Sequence, residues 1–220
     1  MASRGNRTET RRPTPRLYLM TPEVADPTAV RDTLAAAVKS ADVAAVLLRL
    51  AVADERILIN RAKTLAPLVQ DQGAALLLDG LPDIVAHVGA DGAHLTGADA
   101  FEAALTTLKP ARIAGCGGLQ TRHDAMMVAE AGADYVMFGE PDEQQHRPSL
   151  EAVVERLAWW AELFEIPCVA FAGDIDEVAP IADAGAEFIA LGDWIFDYPE
   201  GAAAAVAQAA HRLAPVEAAG

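Results

Sequence analysis

The chain alternates short apolar runs with longer segments of helical periodicity, and this alternation occurs eight times after residue 16. Each run is almost continuously apolar, which is typical of a strand covered on both faces of its sheet. The runs are residues 17–21, 45–50, 75–79, 92–96, 112–117, 135–139, 168–172 and 188–192. Eight strand–helix units of about 25 residues predict a closed parallel (β/α)8 TIM barrel, because open doubly wound sheets more often stop at five or six strands.

The segments between the runs carry helix start and stop signals. The predicted helices are residues 26–39, 53–72, 81–88, 98–108, 121–131, 149–164, 176–184 and 201–213. Polar residues stand at several predicted N-termini, namely Asp26, Thr121, Ser149 and Asp176. A dinucleotide-binding open sheet would need a glycine-rich loop after the first strand, and Thr21-Pro22-Glu23 does not provide one.

We expect one domain, residues 16–213, between two short disordered tails. Residues 1–15 contain four arginines, two prolines and almost no apolar side chain, so burial cannot repay the entropy lost on ordering. Residues 214–220 form the second predicted tail. The basic N-terminal tail could alternatively act as an arm for an acidic partner.

The formal net charge of −15 argues against nucleic acids and anionic membranes as partners, since binding to phosphate backbones requires clustered Lys and Arg. The sequence has neither the apolar stretch of about 20 residues that a spanning helix needs nor the apolar segment of a signal peptide. Its two cysteines cannot build a disulfide framework, and they form no C-x-x-C pair. These features favour a cytoplasmic enzyme or binding protein.

Active sites of such barrels lie at the C-terminal ends of the strands, so the candidate site residues can be read from the sequence. The candidate substrate-binding residues are Thr21, Arg49, Thr96, Gly117, Gly118, Gly139, Glu140, Gly173 and Gly192. Arg49 follows an apolar run and is the best candidate for binding an anion. The alternative for Arg49 is an ion pair with Asp79 or another carboxylate at the barrel mouth.

Two carboxylates follow neighbouring strands and could share a metal ion. Asp79 ends the third predicted strand, and Asp99 lies just beyond the fourth. Together they could hold a Mg²⁺ ion that bridges to a diphosphate. The alternative is structural, with Asp99 capping the fourth helix and Asp79 fixing a turn with Gly80.

Glycines after the last two strands would let backbone N–H groups approach a phosphate closely. Gly173 and Gly192 occupy these positions, but Asp174 and Asp193 follow them and would repel a phosphate. We therefore expect each aspartate to turn away and cap a helix, or to hold a cation.

Three further features have a structural and a functional interpretation. His94 lies inside the fourth strand, where packing and hydrogen bonding are favoured over catalysis. Cys116 is favoured as a buried thiol over a nucleophile, because no partner pattern accompanies it. The aromatic residues Trp159, Trp160 and Phe164 are favoured as core, although a patch of this kind would also allow a homo-oligomer.

Three segments together resemble the thiamine phosphate synthase family. They are Leu-Tyr-Leu-Met-Thr at 17–21, Ala-Asp-Gly-Ala-His-Leu at 90–95 and Ala-Gly-Ala-Asp-Tyr-Val-Met-Phe-Gly at 131–139, which are similar to the first, fourth and sixth strands of that family. The resemblance implies a transferase that joins a hydroxymethylpyrimidine diphosphate to a thiazole phosphate, with Mg²⁺ neutralising the departing diphosphate. By position it implies a role for two residues: Arg49 matches the Arg of the family's Gln-x-Arg-x-Lys strand, and Asp99 matches its second metal-binding Asp. With Asp79 added from its place at a strand end, the candidate catalytic residues are Arg49 and Asp79, and the candidate metal ligands are Asp79 and Asp99.

The chain departs from the family pattern around these residues. Leu47 and Ala51 replace the Gln and Lys of the family's Gln-x-Arg-x-Lys strand, and Asp79-Gly80 replaces its Asn-Asp. The Lys-bearing loop after the sixth strand is replaced by Glu-Pro-Asp-Glu-Gln-Gln at 140–145, and Gln120 stands where the related thiazole tautomerase has a His. Fewer cations and more carboxylates weaken diphosphate binding.

Three functions therefore stay open. The first is a divergent synthase whose activity is reduced by the missing lysines, with pyrimidine and thiazole phosphates as its ligands. The second is a non-catalytic barrel that binds a thiamine precursor. The third is a different isomerase or lyase on the same scaffold, for which a Schiff-base mechanism is disfavoured because no Lys ends a predicted strand.

Overall fold

The computed structural model describes residues 13–142 and 144–213. It contains a closed barrel of eight parallel strands in chain order, in which the last strand pairs with the first. The strands are β1 (Arg16–Met20), β2 (Val43–Leu48), β3 (Ala75–Asp79), β4 (Gly92–Thr96), β5 (Ile113–Gly117), β6 (Tyr135–Phe138), β7 (Cys168–Ala172) and β8 (Phe188–Leu191). The predicted TIM barrel is confirmed, whereas the tail predictions fall almost wholly on residues 1–12 and 214–220, outside the described residues.

A helix follows each strand and covers the outside of the barrel. The helices are α1 (Pro27–Lys39), α2 (Glu55–Gln70), α3 (Val85–Val88), α4 (Ala98–Leu108), α5 (Arg122–Glu130), α6 (Leu150–Leu163), α7 (Val178–Ala184) and α8 (Ala202–Leu213). Short 3-10 turns precede three of them, at Pro82–Ile84, Ile175–Glu177 and Asp193–Asp197. No helix in the described part of the chain is both long and apolar enough to cross a membrane.

Helix N-termini are capped largely where the sequence predicts. The Asp26 side chain accepts a hydrogen bond from Thr28 N at 2.9 Å, and Ser149 caps α6. Thr121 and Asp124 form a reciprocal capping box at α5. The prediction for Asp176 is wrong, because a 3-10 turn starts one residue earlier and Asp174 caps it instead.

Strand residues alternate between two apolar layers. One layer lies between the sheet and the helices, and it includes Leu17 and Leu19 of β1. The other fills the barrel interior, where Tyr18 and Met20 of the same strand point. The period of two along each strand thus separates the outer core from the interior that leads to the mouth.

The aromatic cluster of α6 belongs to the outer layer. Trp160 is buried, stacks on Phe164 with ring centroids 4.1 Å apart, and donates from Nε1 to Ile166 O at 2.8 Å. Trp159 is partly buried and packs against both rings. The interpretation of this cluster as core is confirmed, and a homo-oligomer stays a prediction.

Candidate active site at the barrel mouth

Arg49 leaves β2 at the mouth and is held there by β1. Its backbone N donates to Thr21 Oγ1 at 3.0 Å, so the buried Thr21 hydroxyl fixes where the guanidinium emerges. The Arg49 side chain is 30% exposed, with Nε 3.8 Å from Asp79 Oδ2 and Nη1 3.4 Å from Asp193 Oδ2. The ion-pair interpretation is therefore observed, but with two carboxylates: Asp79 at the end of the neighbouring strand β3, and Asp193 after β8, which lies on the other side of β1.

The two carboxylates predicted to share a metal occupy different surroundings. Asp79 faces Arg49, and burial raises the pKa of Asp79 while the guanidinium opposes that rise. Asp99 is exposed in the first turn of α4 and lines a cavity of about 430 Å³ together with Thr96, Gly118 and Asp124. Gly97, not Asp99, is the N-cap of α4, so the capping role for Asp99 is not seen.

The described residues contain no group of three or more His, Cys, Asp or Glu side chains that could hold a metal ion. Asp79 is not among the residues that line the cavity beside Asp99, and its observed ionic partner is Arg49. The shared Mg²⁺ site stays a prediction.

A chain of hydrogen bonds crosses the barrel interior beneath the mouth. Tyr18 Oη lies 3.0 Å from Tyr135 Oη, which lies 2.9 Å from His94 Nδ1. Burial lowers the pKa of His94 to about 4, so the imidazole is neutral at pH 7. The packed and hydrogen-bonded interpretation of His94 is confirmed.

Glu140 brings a carboxyl group to the same place from the end of β6. Its Oε1 accepts a hydrogen bond from Gly118 N. A Cβ atom at Gly117 would overlap both Glu140 Oε1 and His94 Nε2, so these two groups converge on Gly117. Glu140 Oε2 is buried without a hydrogen-bond partner in the described structure, and burial raises the pKa of Glu140. An unpartnered buried oxygen of this kind points to a missing donor.

The β7–β8 corner, where glycines were expected to receive a phosphate, is filled by the chain itself. Gly173 N donates to Glu177 Oε2 at 2.7 Å, and Arg147 Nη2 lies 2.8 Å from the same oxygen. Gly192 faces the ring of Phe171. Sequence reasoning missed Arg147, because it lies in the loop after Gly139 and no local pattern indicates that it folds back over β7.

The two aspartates after these glycines behave differently. Asp174 Oδ1 accepts from Asp176 N at 2.8 Å and from Glu177 N at 3.2 Å, which confirms its capping role. Asp193 makes no capping hydrogen bond at the turn that it begins, and it pairs with Arg49 instead. Of the two roles predicted for Asp193, capping a helix or holding a cation, the structure shows the second, with Arg49 as the cation.

Cys116 lies one residue before the end of β5 and is fully buried in the layer between the sheet and the helices. Burial raises the pKa of the Cys116 thiol to about 12, and the nearby Glu140 carboxylate adds to the rise. A thiol in this state is not an activated nucleophile. The prediction of a buried, unreactive Cys116 is confirmed.

The family model described as thiamine monophosphate synthase matches residues 17–195, which contain every strand end described above. The chain belongs to the thiamine monophosphate synthase family. The curated thiamine-phosphate synthase of Rhodospirillum centenum is 41% identical over 196 residues, covering 87% of this chain and 94% of that protein. The one from Hyphomonas neptunium is 34% identical over 204 residues, covering 89% and 92%.

A solved structure of the thiamine phosphate pyrophosphorylase from Pyrococcus furiosus has a TM-score of 0.75 against this chain. It is 22% identical, and the match covers 90% of this chain and 95% of that structure. At this identity the likeness shows a shared fold. The match is consistent with the observed closed barrel.

The structure shows what occupies the positions where this member of the thiamine monophosphate synthase family differs from the pattern. Leu47 is buried in the barrel interior, where it packs with the apolar residues of that layer. Ala51 lies past the end of β2, where its backbone N donates to Val24 O at 3.1 Å. Both positions adjoin Arg49, so the guanidinium is the only cation that this segment presents to the mouth.

Proposed function

We propose that this chain is a transferase of thiamine biosynthesis that joins a hydroxymethylpyrimidine diphosphate to a thiazole phosphate at the barrel mouth. The curated relatives it matches over nearly their whole length are named thiamine-phosphate synthase, which supports the reaction class. The observation that carries the proposal is Arg49, a partly exposed cation at the end of β2. A departing diphosphate requires such a cation.

The geometry of Arg49 would allow its guanidinium to leave the two carboxylates and bind a phosphate group. Its distances of 3.4 and 3.8 Å to the two carboxylates exceed the roughly 2.7–2.9 Å of a close charge-assisted hydrogen bond. A loosely paired guanidinium can turn its planar donor face to phosphate oxygens, which it binds in a bidentate manner. Arg49 would thus orient the diphosphate and stabilise the charge that develops on it.

Asp79 and Asp99 fit Mg²⁺ by donor type, since this ion commonly takes one or two carboxylates and completes its shell with water and substrate phosphate. They would hold the ion, which when bound would supply charge neutralisation for the diphosphate. Asp79 lies beside Arg49, so both would serve one diphosphate.

Glu140 supports recognition of the other half of that substrate. Its unpartnered Oε2 can accept a hydrogen bond from a ring or amino N–H group. As a buried carboxylate it would also stabilise positive charge on a pyrimidine ring when the diphosphate departs. Gly117 and Gly118 provide the close approach this requires, and Thr96 and Gly139 complete the proposed rim with the β7–β8 corner.

The test is formation of thiamine phosphate by the purified chain with both substrates and Mg²⁺, followed by chromatography with fluorescence detection. Arg49→Met should lower the rate by about a hundredfold, a typical effect of removing one group that stabilises a transition state. Arg31→Met, a change of the same charge at an exposed position of α1, should have no effect. Absence of product with the wild-type chain would overturn the proposal.

A second function, binding of a thiamine precursor without turnover, is favoured by one observation. The mouth cation is already paired with two carboxylates, and no described strand ends in a lysine. A thermal-shift series with pyrimidine and thiazole ligands separates the two functions, because a pure binding protein is stabilised by a ligand that it does not convert.

The free thiols of Cys116 and Cys168 support action in the cytoplasm for either function.

A further inference from the structure

The loop between β5 and α5, residues 118–121, borders the buried carboxyl group of Glu140. Gly118 at its start has a φ of +66°, and a Cβ atom there would overlap Thr96 Cγ2. The loop can therefore follow this path only with a glycine at that position. Gly118 N donates to Glu140 Oε1, so the placement of the loop determines how the Glu140 carboxyl group is held.

Arg156 on α6 holds the middle of the same loop. Its Nη1 donates to Leu119 O at 2.8 Å, and its Nη2 donates to Gln120 O at 3.1 Å. The guanidinium also lies 5.8 Å from the centre of the ring of Phe138, the last residue of β6. Arg156 therefore connects the β5–α5 loop to the end of the strand from which Glu140 extends.

The charge of Arg156 favours the ionised form of Glu140. Burial raises the pKa of the Glu140 carboxyl group, while the hydrogen bond from Gly118 N and the positive charge of Arg156 oppose that rise. The described hydrogen bonds of the guanidinium go to the two loop carbonyls and not to the carboxylate. Arg156 thus acts on the carboxylate from a distance and leaves Glu140 Oε2 without a partner in the described structure.

We propose that Arg156 is a positioning residue for Glu140. It fixes the β5–α5 loop, Gly118 N of that loop holds Glu140 Oε1, and Glu140 Oε2 is thereby kept free to accept a hydrogen bond from an N–H group of the substrate. Arg156 acts through the loop, because both of its terminal nitrogens are engaged by backbone carbonyls. The benefit for a pyrimidine substrate rests on the proposed function, whereas the placement of Glu140 does not.

The first experiment measures amide hydrogen exchange of the wild-type chain and its variants by NMR spectroscopy. Arg156→Met removes both donors to the loop, so the Gly118 amide should exchange at least about tenfold faster, as expected when charge-assisted hydrogen bonds no longer hold the loop. Arg112→Met is the matched control, because Arg112 Nη1 also donates to a backbone carbonyl at 2.8 Å, that of Ala90, beside the first residue of β5. This control should leave the exchange of the Gly118 amide unchanged.

Arg156→Lys covers the case in which Arg156→Met does not fold. A lysine keeps the charge but lacks the planar pair of donors, so exchange of the Gly118 amide should be faster than in the wild type and slower than in Arg156→Met. The Val136 amide, which donates to Pro167 O in the core, reports any general loss of stability. Wild-type exchange of Gly118 in a folded Arg156 variant, or an equal acceleration at Val136 or in Arg112→Met, would overturn the proposal.

The proposed function adds a kinetic measurement. If the chain forms thiamine phosphate, Arg156→Met should raise the KM for the pyrimidine diphosphate about tenfold and leave the KM for the thiazole phosphate unchanged, because Glu140 is assigned to the pyrimidine. Arg156→Lys should recover part of the loss, and Arg112→Met should change neither constant. Equal changes of both constants in Arg156→Met would contradict a role through Glu140.

The two measurements distinguish failure of this proposal from failure of the proposed function. Hydrogen exchange needs no turnover and no substrate. A wild-type chain that forms no thiamine phosphate would therefore remove the proposed function, and the exchange of the Gly118 amide would still decide whether Arg156 positions Glu140.

Discussion

Replacing Tyr135 by Phe should destabilise the barrel more than the loss of one hydroxyl suggests. The Tyr135 hydroxyl joins two buried groups, Tyr18 Oη at 3.0 Å and His94 Nδ1 at 2.9 Å. Removing it leaves both groups without this partner in a buried interior. Each unsatisfied group costs about 1–3 kcal/mol, so for the two groups together we expect the free energy of unfolding to fall by about 2–6 kcal/mol.

Tyr18→Phe provides the matched comparison. In the wild-type background it should cost only about 1 kcal/mol, because Tyr135 keeps its hydrogen bond to His94. In the Tyr135→Phe background it should cost nothing or stabilise, since it removes a hydroxyl that has already lost its partner. The double variant should therefore be clearly more stable than the sum of the single changes implies.

Urea unfolding followed by tryptophan fluorescence measures these differences, and far-UV circular dichroism checks that one transition is observed. Three tryptophans are available as reporters. Additivity of the two single changes within about 0.5 kcal/mol would refute the continuous hydrogen-bond chain, since it is the result expected for independent sites.

Burial lowers the pKa of His94 from 6.5 to about 4, so only the unfolded chain takes up a proton at this site between these values, and stability falls as the pH drops through this window. His94→Gln removes this protonation, so the free energy of unfolding should fall by up to about 3 kcal/mol less between pH 7 and pH 4.5 than in the wild type. Urea unfolding at the two pH values measures this difference. The same pH dependence in the variant and the wild type would contradict the prediction. Thr121→Ala should cost about 1 kcal/mol by removing a capping hydrogen bond of α5, with the exposed Thr106→Ala as a control for threonine loss. Gly115→Ala should cost about 1–3 kcal/mol, because its Cβ would overlap the Tyr135 ring; a melting temperature equal to that of the wild type would exclude this clash.

The sequence predicted the barrel because eight buried parallel strands leave a repeated pattern of apolar runs and helices. The errors lie at element ends. The second strand runs from Val43 to Leu48, two residues before the predicted range, since Arg49 already belongs to the polar rim. The third helix is only four residues long, because Pro82 starts a 3-10 turn and Gly89 ends the helix in a left-handed conformation.

A site residue could be predicted from the sequence only where its position depends on the end of a single strand. Arg49 follows a recognisable strand, so its place at the mouth could be anticipated. Its partner Asp193 follows β8, and the contact between them depends on the closure and register of the whole barrel. Arg147 and Glu177 are thirty positions apart, and nothing local indicates that they pair above Gly173.

Because the first strand pairs with the last, the barrel can close only after almost the whole chain has been synthesised. β1 ends at Met20, but its neighbour β8 ends at Leu191, so one edge of the sheet has no partner while the intervening residues are synthesised. At ribosomal speeds of about 5–20 residues per second, that wait lasts roughly ten to thirty seconds. Nascent chains stalled before β8 should therefore be the protease-sensitive, chaperone-bound species during translation.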